Sequence, residues 1–318
     1  MLAGCLGGII TLVVVAAIIG FLVLHNTPLG QNLGVGKSTY THSDQQALAL
    51  GNATQLIVKS QAGNILVHTD RSSGNVSVAS LKKVQASSQE EANNRFRSLV
   101  LITRQISRGA DPSCIATICL LISTTTPARS TSGPFGGSNG DTVDLSLTLP
   151  ESFSNPVSPS LLTVSTNAGN IAVNGFNGIL NLNSIAGNIN VAHNAIIFAG
   201  TCIQTTHGNV TIAQGSFFDP NQPSNLVPCK NTTNANPHPW FSINSGVGNV
   251  TIALRSDNTD LVLDALAIKG KIRDSFGPEI PTTSDGSSAY HGALLPNTNP
   301  VASLYIIAST GDITISKQ

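Results

Sequence analysis

The sequence predicts an all-β fold: a β-solenoid built from Gly-Asn/Asp turn-and-strand repeats, preceded by one transmembrane helix. Three observations predict it: a short motif repeated seven times, the spacing of its copies, and an uncharged N-terminal run. The copies read QAGNILV (61–67), SSGNVSV (72–78), NAGNIAV (167–173), IAGNINV (185–191), THGNVTI (206–212), GVGNVTI (246–252) and STGDITI (309–315). Two looser copies are FNGILNL (176–182) and IKGKIRD (268–274). Glycine turns the chain through backbone conformations closed to other residues, and Asn tolerates the left-handed region. The apolar–any–apolar triplet that follows alternates as a half-buried strand does, and its β-branched residues suit a pleated surface.

The repeat turns are Gly63-Asn64, Gly74-Asn75, Gly169-Asn170, Gly187-Asn188, Gly208-Asn209, Gly248-Asn249 and Gly311-Asp312. From Gly169 onward, through Gly187, Gly208, Gly248, Gly270 and Gly311, the steps are 18, 21, 40, 22 and 41 residues. These are one or two coils of roughly twenty residues, a period typical of repeat architectures. Gly178 divides the first step and suggests two short strands per coil. An antiparallel meander is the rival, because Gly-Asn is also a hairpin signal, and around 55–80 the hairpin competes. With coils in register, Asn170, Asn188, Asn209 and Asn249 stack as an amide ladder, as in cross-β structures. Aspartates stacked there would repel one another, and the acidic member, Asp312, falls in the last coil.

Residues 1–4 form a short N-terminal end, and 5–24 (CLGGIITLVVVAAIIGFLVL) carry no charge, a length that spans a bilayer as a helix. A cleaved signal peptide needs a basic start and a small-x-small site. No Lys or Arg precedes Lys37, and LHNTPLG has no such site. The expectation is therefore a single-pass anchor in the cell membrane, with the C-terminal domain extracellular. Residues 25–50 read as a stalk and 51–318 as the repeat-bearing domain. Its interruptions are a helix-and-strand segment at 81–108, a flexible loop at 127–140, and loop insertions at 215–240 and 274–300. Ser87-Ser88-Gln89-Glu90 reads as a capping box opening a helix over about 88–97. DTVDLSLTLP (141–150) alternates as a strand.

Sixteen basic residues balance sixteen acidic ones, and aromatics make up 4% of the chain. That composition argues against nucleic acid as a partner. The local cations of 81–108 (Lys82, Lys83, Arg95, Arg97, Arg104, Arg108) read as protection of a sheet edge. Beyond Cys5, the cysteines are Cys114, Cys119, Cys202 and Cys229; an even count fits an oxidising compartment. Three pairings exist. Cys114–Cys119 and Cys202–Cys229 are favoured, with buried free thiols as the alternative. The spacings match no zinc site, so no metal and no cofactor are expected.

The order of membrane helix, early repeats, helical interruption, strand ending in Leu149-Pro150, then STNAGNIAVNGFNGILNLNSIAGNINV resembles the bacterial "putative adhesin" family of surface proteins. The resemblance covers about 50–318. It implies a β-solenoid behind a membrane helix and supplies no catalytic residues. The two long loops and four cysteines of this domain depart from the family pattern.

Sites of chemistry are weak by comparison. NLGVGKST (32–39) has Gln31 where a phosphate-binding loop requires Gly. Asp260 and Asp264 stand roughly 13 Å apart on a strand, too far for a glycosidase pair. The seven histidines show no metal-binding spacing. In a chain so poor in aromatics, Phe217, Phe218, Trp240, Phe241 and Tyr290 are the candidate ligand contacts. The function expected is a non-catalytic, membrane-anchored binding or scaffolding protein of adhesin type. Its partners would be the membrane itself and surface glycans, cell-wall polymers or proteins. The alternatives are an envelope-stress sensor ectodomain and a carbohydrate-active enzyme on a β-helical scaffold.

Overall fold

A computed structural model describes residues 37–71, 74–125, 140–154, 159–193, 195–218, 240–255, 261–275, 286–294 and 302–317. Strands come first: β1 (Ser38–Leu48), β2 (Gln55–Ala62), β3 (Ile65–Asp70) and β4 (Val76–Ala86). Helix α1 (Gln89–Ser98) follows, then β5 (Val100–Ser107), β6 (Ile118–Thr125) and β7 (Thr142–Pro150). The repeats supply β8 (Leu161–Ala168), β9 (Ile171–Asn174), β10 (Ile179–Ala186), β11 (Ile189–Ala192), β12 (Ile196–Phe198), β13 (Cys202–His207) and β14 (Val210–Phe218). The chain ends with β15 (Trp240–Val247), β16 (Val250–Leu254), β17 (Leu261–Ala267), β18 (Ile272–Asp274), β19 (Ser288–Ala293), β20 (Ala302–Thr310) and β21 (Ile313–Lys317).

Among the described residues these strands make two sheets. The eleven-stranded sheet runs β1-β4-β7-β3-β9-β11-β14-β16-β21-β18, with β12 beside β14. The ten-stranded sheet runs β19-β17-β20-β15-β13-β10-β8-β2-β6-β5. From β8 to β16 each Gly-Asn turn carries the chain from one sheet to the other. Equivalent residues of successive turns then lie side by side: Ile65, Ile171, Ile189, Val210, Val250 and Ile313 form one row.

The expected fold class, a β-solenoid preceded by a transmembrane helix, is corrected. The sheets are mixed, and their strand order departs from chain order. Strand β7 lies between β3 and β4, β6 lies outside β2, and β17 and β18 lie beyond β20 and β21. Strand β19 pairs antiparallel with β17. A solenoid requires each coil to rest on the one before it, and the segments flanking the central repeats pair outward from both ends instead. The transmembrane, single-pass and cell-membrane expectations are corrected with it. No helix among the described residues is long and apolar enough to cross a membrane. Helix α1, with ten residues, spans only about 15 Å. Residues 5–24 lie outside the described residues. Residues 38–48, read as stalk, form strand β1.

The chain divides into two compact units. One comprises Met1–His42, Leu81–Val100 and Thr126–Thr142; the other comprises Ser43–Ser80, Leu101–Thr125 and Val143–Gln318. Within the first, the Ser88 hydroxyl caps α1 by accepting from the Glu91 N–H. The Glu91 carboxylate reaches back to the Ser87 hydroxyl and N–H. The box therefore closes one residue later than the sequence suggested. Those two bonds, against a smaller opposing effect of burial and with help from Arg95 and Lys37, lower the Glu91 pKa. Arg95 also pairs with Asp141 at 2.6 Å.

In the second unit the alternating triplets point their first and third residues inward. Ile65, Val67, Ile171, Val173, Ile189, Val191, Val210, Ile212, Val250, Ile252, Ile313 and Ile315 are at most 1% exposed. Burying each side chain contributes about 1.5–3 kcal/mol before ordering costs, so the rows hold the turns in register. Gln55, fully buried, ties this core to the 110s loop. Its amide donates to Ser113 O at 2.6 Å and Thr163 Oγ1 at 3.0 Å, and its Oε1 accepts from the N–H groups of Ile115 and Ala116. The Cys114–Cys119 disulfide closes the same loop, packed against Ile57 and Leu121.

Candidate functional site: an amide-lined edge

The Gly-Asn turns gather along one edge of the second unit. Gly187 has φ +155° and Gly208 φ +154°, conformations that L side chains rarely adopt. Space forbids a side chain as well: a Cβ on Gly187 would overlap the Gly169 carbonyl, and one on Gly208 the Gly187 carbonyl. The same close approach links Gly63, Gly169, Gly248, Gly311 and Gly270 into one file. Backbone bonds of 2.8–2.9 Å lace it, as from Gly169 N–H to Ala186 O and from Gly187 N–H to His207 O.

Each Asn then ties its rung to the next. Asn170 N–H donates to Asn64 Oδ1 at 2.9 Å, Asn188 N–H to Asn170 Oδ1 at 2.8 Å, and Asn209 N–H to Asn188 Oδ1 at 2.8 Å. Asn249 N–H donates to Asn209 Oδ1 at 2.7 Å and Asp312 N–H to Asn249 Oδ1 at 2.8 Å. Aspartates end the row. Asp144 Oδ1 accepts from Asn64 N–H at 2.7 Å, and Asp312 Oδ1 accepts from Lys271 N–H at 2.9 Å. The contact is thus side-chain oxygen to backbone N–H, rather than amide stacked on amide. Because an N–H must face an acceptor, it fixes which amide atom is oxygen. From Asp144 to Asp312 the row has six steps, about 29 Å at the spacing of adjacent strands.

Gly74 and Asn75 stand apart from this row. A Cβ on Gly74 would meet nothing within 4 Å, and Asp144 occupies the place before Asn64. The looser copy IKGKIRD joins the row through Lys271, whereas Gly178 makes an isolated bridge to Ile197.

A second file lies beneath the first. Thr166, Ser184, Thr205 and Ser245, all buried, donate their hydroxyls to the carbonyls of Gly63, Gly169, Gly187 and Gly208. Sequence reasoning missed these residues, although the signal was present: a Ser or Thr stands three places before Gly63, Gly169, Gly187, Gly208 and Gly248. Asp144 was missed because DTVDLSL contains no glycine to mark a rung.

The other expected site residues are dispersed. Phe217 and Phe241 are buried and pack edge to face, with ring centroids 4.8 Å apart, so both are core residues rather than ligand contacts. The Tyr290 hydroxyl donates to Ala293 O within its own strand. The side chains of Phe218 and Trp240 lie outside the described residues, as does Cys229. Cys202 is disulfide-bonded.

Asp264 sits in register between Tyr305 and His291, with His291 Nδ1 3.9 Å from its carboxylate. Burial, then the Asp264 charge, raises the Tyr305 pKa. Asp260 lies outside the described residues. In the first unit a shallow cleft of about 710 Å³ runs along α1 between Lys37, Glu90, Glu91 and Arg95. Its charges are of both signs, and Glu91 is already engaged with Arg95 and Lys37. Among the described residues no group of three His, Cys, Asp or Glu side chains is placed to hold a metal ion.

No family model matches the chain, and no curated protein matches it. Among solved structures, a protein of Clostridium sporogenes ATCC 15579 described as a putative cell adhesion protein is similar at 12% identity and a TM-score of 0.44, over 88% of this chain and 100% of that one. One of Bacteroides fragilis NCTC 9343 described as a putative adhesin is similar at 9% identity and a TM-score of 0.34, over 88% and 98%. Another putative adhesin, of Parabacteroides distasonis ATCC 8503, is similar at 11% identity and a TM-score of 0.30, over 88% and 97%. The family that the sequence resembles is the one these descriptions carry.

Proposed function

We propose that this chain is a non-catalytic binding or scaffolding protein of adhesin type, and that its contact surface is the amide-lined edge. One observation carries the reading: the same exposed amide recurs on five successive rungs, Asn64, Asn170, Asn188, Asn209 and Asn249, along a straight row. Catalysis needs unlike groups converging on one reacting atom. A row of like groups at constant pitch instead suits a partner that repeats along its length. Surface glycans and cell-wall polymers repeat in this way, and an extended protein segment does so through its backbone.

The test is binding of the full chain to an array of glycans, wall polymers and proteins, with each bound class also assayed for released products. Saturable binding without turnover is expected. Release of products from any bound polymer would overturn the non-catalytic reading and direct attention to Asp264, His291 and Tyr305.

A further inference from the structure

The hydrogen bonds of the amide row leave it chemically one-sided. Every Oδ1 from Asn64 to Asn249 is taken by the next rung's backbone N–H. None of the five Nδ2 groups donates to any described residue, and all five asparagines are exposed. The edge therefore presents a file of amide N–H donors about 4.8 Å apart. Oxygen acceptors are what such a file lacks, and a carboxylate is the acceptor that bonds most strongly.

The surroundings agree. Residues 167–168, 185–186, 206–207 and 246–247, which flank the row on one side, include no Asp or Glu. On the other side the register places Asn190, Thr211 and Thr251 in a second polar file, each two residues beyond its ladder Asn. Acidic members stand only at the two ends, as Asp144 and Asp312.

The geometry points to a linear acidic polysaccharide, with a carboxylate-bearing sugar as its repeat, lying along the Asn170–Asn249 rungs. An extended sugar chain advances by about one strand spacing per residue, so successive sugars meet successive amides. This rests on the reading of the edge as the contact surface.

The structure itself supplies the discriminating substitution. Asp144 and Asp312 perform the ladder's structural task with a carboxylate, accepting the neighbouring N–H just as Asn does. N170D/N209D therefore keeps the acceptor and the fold while removing two donors. The two positions are two rungs apart, about 10 Å, near the Debye length, so the new charges scarcely repel. The matched control is N183D/N244D, which adds the same two charges, also two rungs apart, on the outer face of the ten-stranded sheet.

Binding of the full chain to polygalacturonate and to uncharged amylose would be measured by titration, with thermal unfolding of each variant alongside. Wild type is expected to bind polygalacturonate saturably. N170D/N209D should bind at least about tenfold more weakly at unchanged Tm, and the control should bind within about twofold of wild type. Equal losses in both variants would mean a charge effect only and would overturn the site. Binding to amylose or another array polymer but not to polygalacturonate would overturn the ligand class and leave the edge as contact surface. Binding to nothing would overturn both.

Discussion

Replacing Gly187 with Ala tests the close-packed edge directly. At φ +155° an Ala is strained by about 1–3 kcal/mol. Its Cβ would also overlap the carbonyl of Gly169, which belongs to the neighbouring rung's backbone and has no rotamer through which to yield. The rungs must part, and three bonds cross that gap: Gly169 N–H to Ala186 O, Ile171 N–H to Asn188 O, and Asn188 N–H to Asn170 Oδ1. Loss of two adds about 2 kcal/mol, for a total of about 3–5 kcal/mol. That is a large part of the stability of an ordinary domain, about 5–15 kcal/mol. Gly74→Ala is the internal control, since it sits in an identical Gly-Asn dipeptide with open space around it. It should be neutral or slightly stabilising, within about 0.5 kcal/mol. Urea unfolding followed by circular dichroism reads both as shifts in midpoint at constant slope. If Gly187→Ala falls within 1 kcal/mol of Gly74→Ala, the edge is not close-packed as argued.

Further outcomes follow from the buried polar groups and the charges. Thr205→Val removes the hydroxyl that bonds Gly187 O at 2.9 Å and should cost about 1 kcal/mol in urea unfolding; Thr206→Val, exposed next door, should cost nothing measurable. Burial opposes the Asp111 carboxylate, but bonds from Lys59 Nζ at 2.7 Å and from Ser113 N–H outweigh it and lower the Asp111 pKa. A depressed carboxylate stabilises the fold above its unfolded pKa of about 3.9 and ceases to do so as pH falls through its lower folded value. Asp111→Asn should therefore cost about 1 kcal/mol at pH 7, with Lys59 partly solvated, and progressively less as pH falls below about 4, read by midpoints along that range. Replacing Cys114 and Cys119 by Ser opens a loop of five-residue separation and should lower stability by about 2 kcal/mol in urea unfolding under non-reducing conditions; reductant acting on wild type should lower it further, because Cys202 is disulfide-bonded as well. Substituting Asn170, Asn188 and Asn209 together by Asp stacks like charges about 4.8 Å apart and raises their pKa values. That variant should be destabilised by about 2 kcal/mol at pH 7 and regain stability as pH falls through the raised folded pKa values toward about 4, the reverse of the Asp111 trend.

How far the sequence was legible depended on whether a feature was local or a matter of pairing. The turn glycines were legible because no other residue satisfies both their φ and their contact with the next rung. The inward Ile and Val positions were legible because strand periodicity is two. Cys114–Cys119 was legible from its short spacing. Strand order was not, since DTVDLSLTLP alternates equally well beside β3 or anywhere else, and nothing local directs β7 between β3 and β4. The stalk failed for a similar reason: STYTHSDQQAL alternates weakly, and its burial pattern shows most of β1 exposed, so composition alone read it as linker. Phe217 and Phe241 were misread because scarcity of aromatics was taken as a sign of contact with ligand. In a core built from small β-branched residues, two large rings instead meet each other.

Copies of the motif that look alike do not all form rungs. SSGNVSV and THGNVTI share Gly-Asn-Val and alternate identically, yet only the second forms a rung. The difference lies three residues upstream of the glycine, where Thr205 donates to the carbonyl of the rung before, while Arg71 at the equivalent place is exposed and pairs loosely with Glu151 at 3.4 Å. A buried hydroxyl at that position satisfies a carbonyl that the crowded turn shields from water, which otherwise costs about 1–3 kcal/mol. The working motif is therefore Ser/Thr-x-x-Gly-Asn, not Gly-Asn alone. STGDITI tests the limit of that rule: Ala308 stands where the hydroxyl should be, and the rung still forms. It is also the rung whose ladder residue is Asp, and whose carboxylate accepts from Lys271 and lies 3.7 Å from Arg273. The Gly248 carbonyl that a hydroxyl at 308 would meet accepts instead from Ser245 Oγ at 3.1 Å, a donor from its own rung, so the last rung closes without the upstream Ser or Thr.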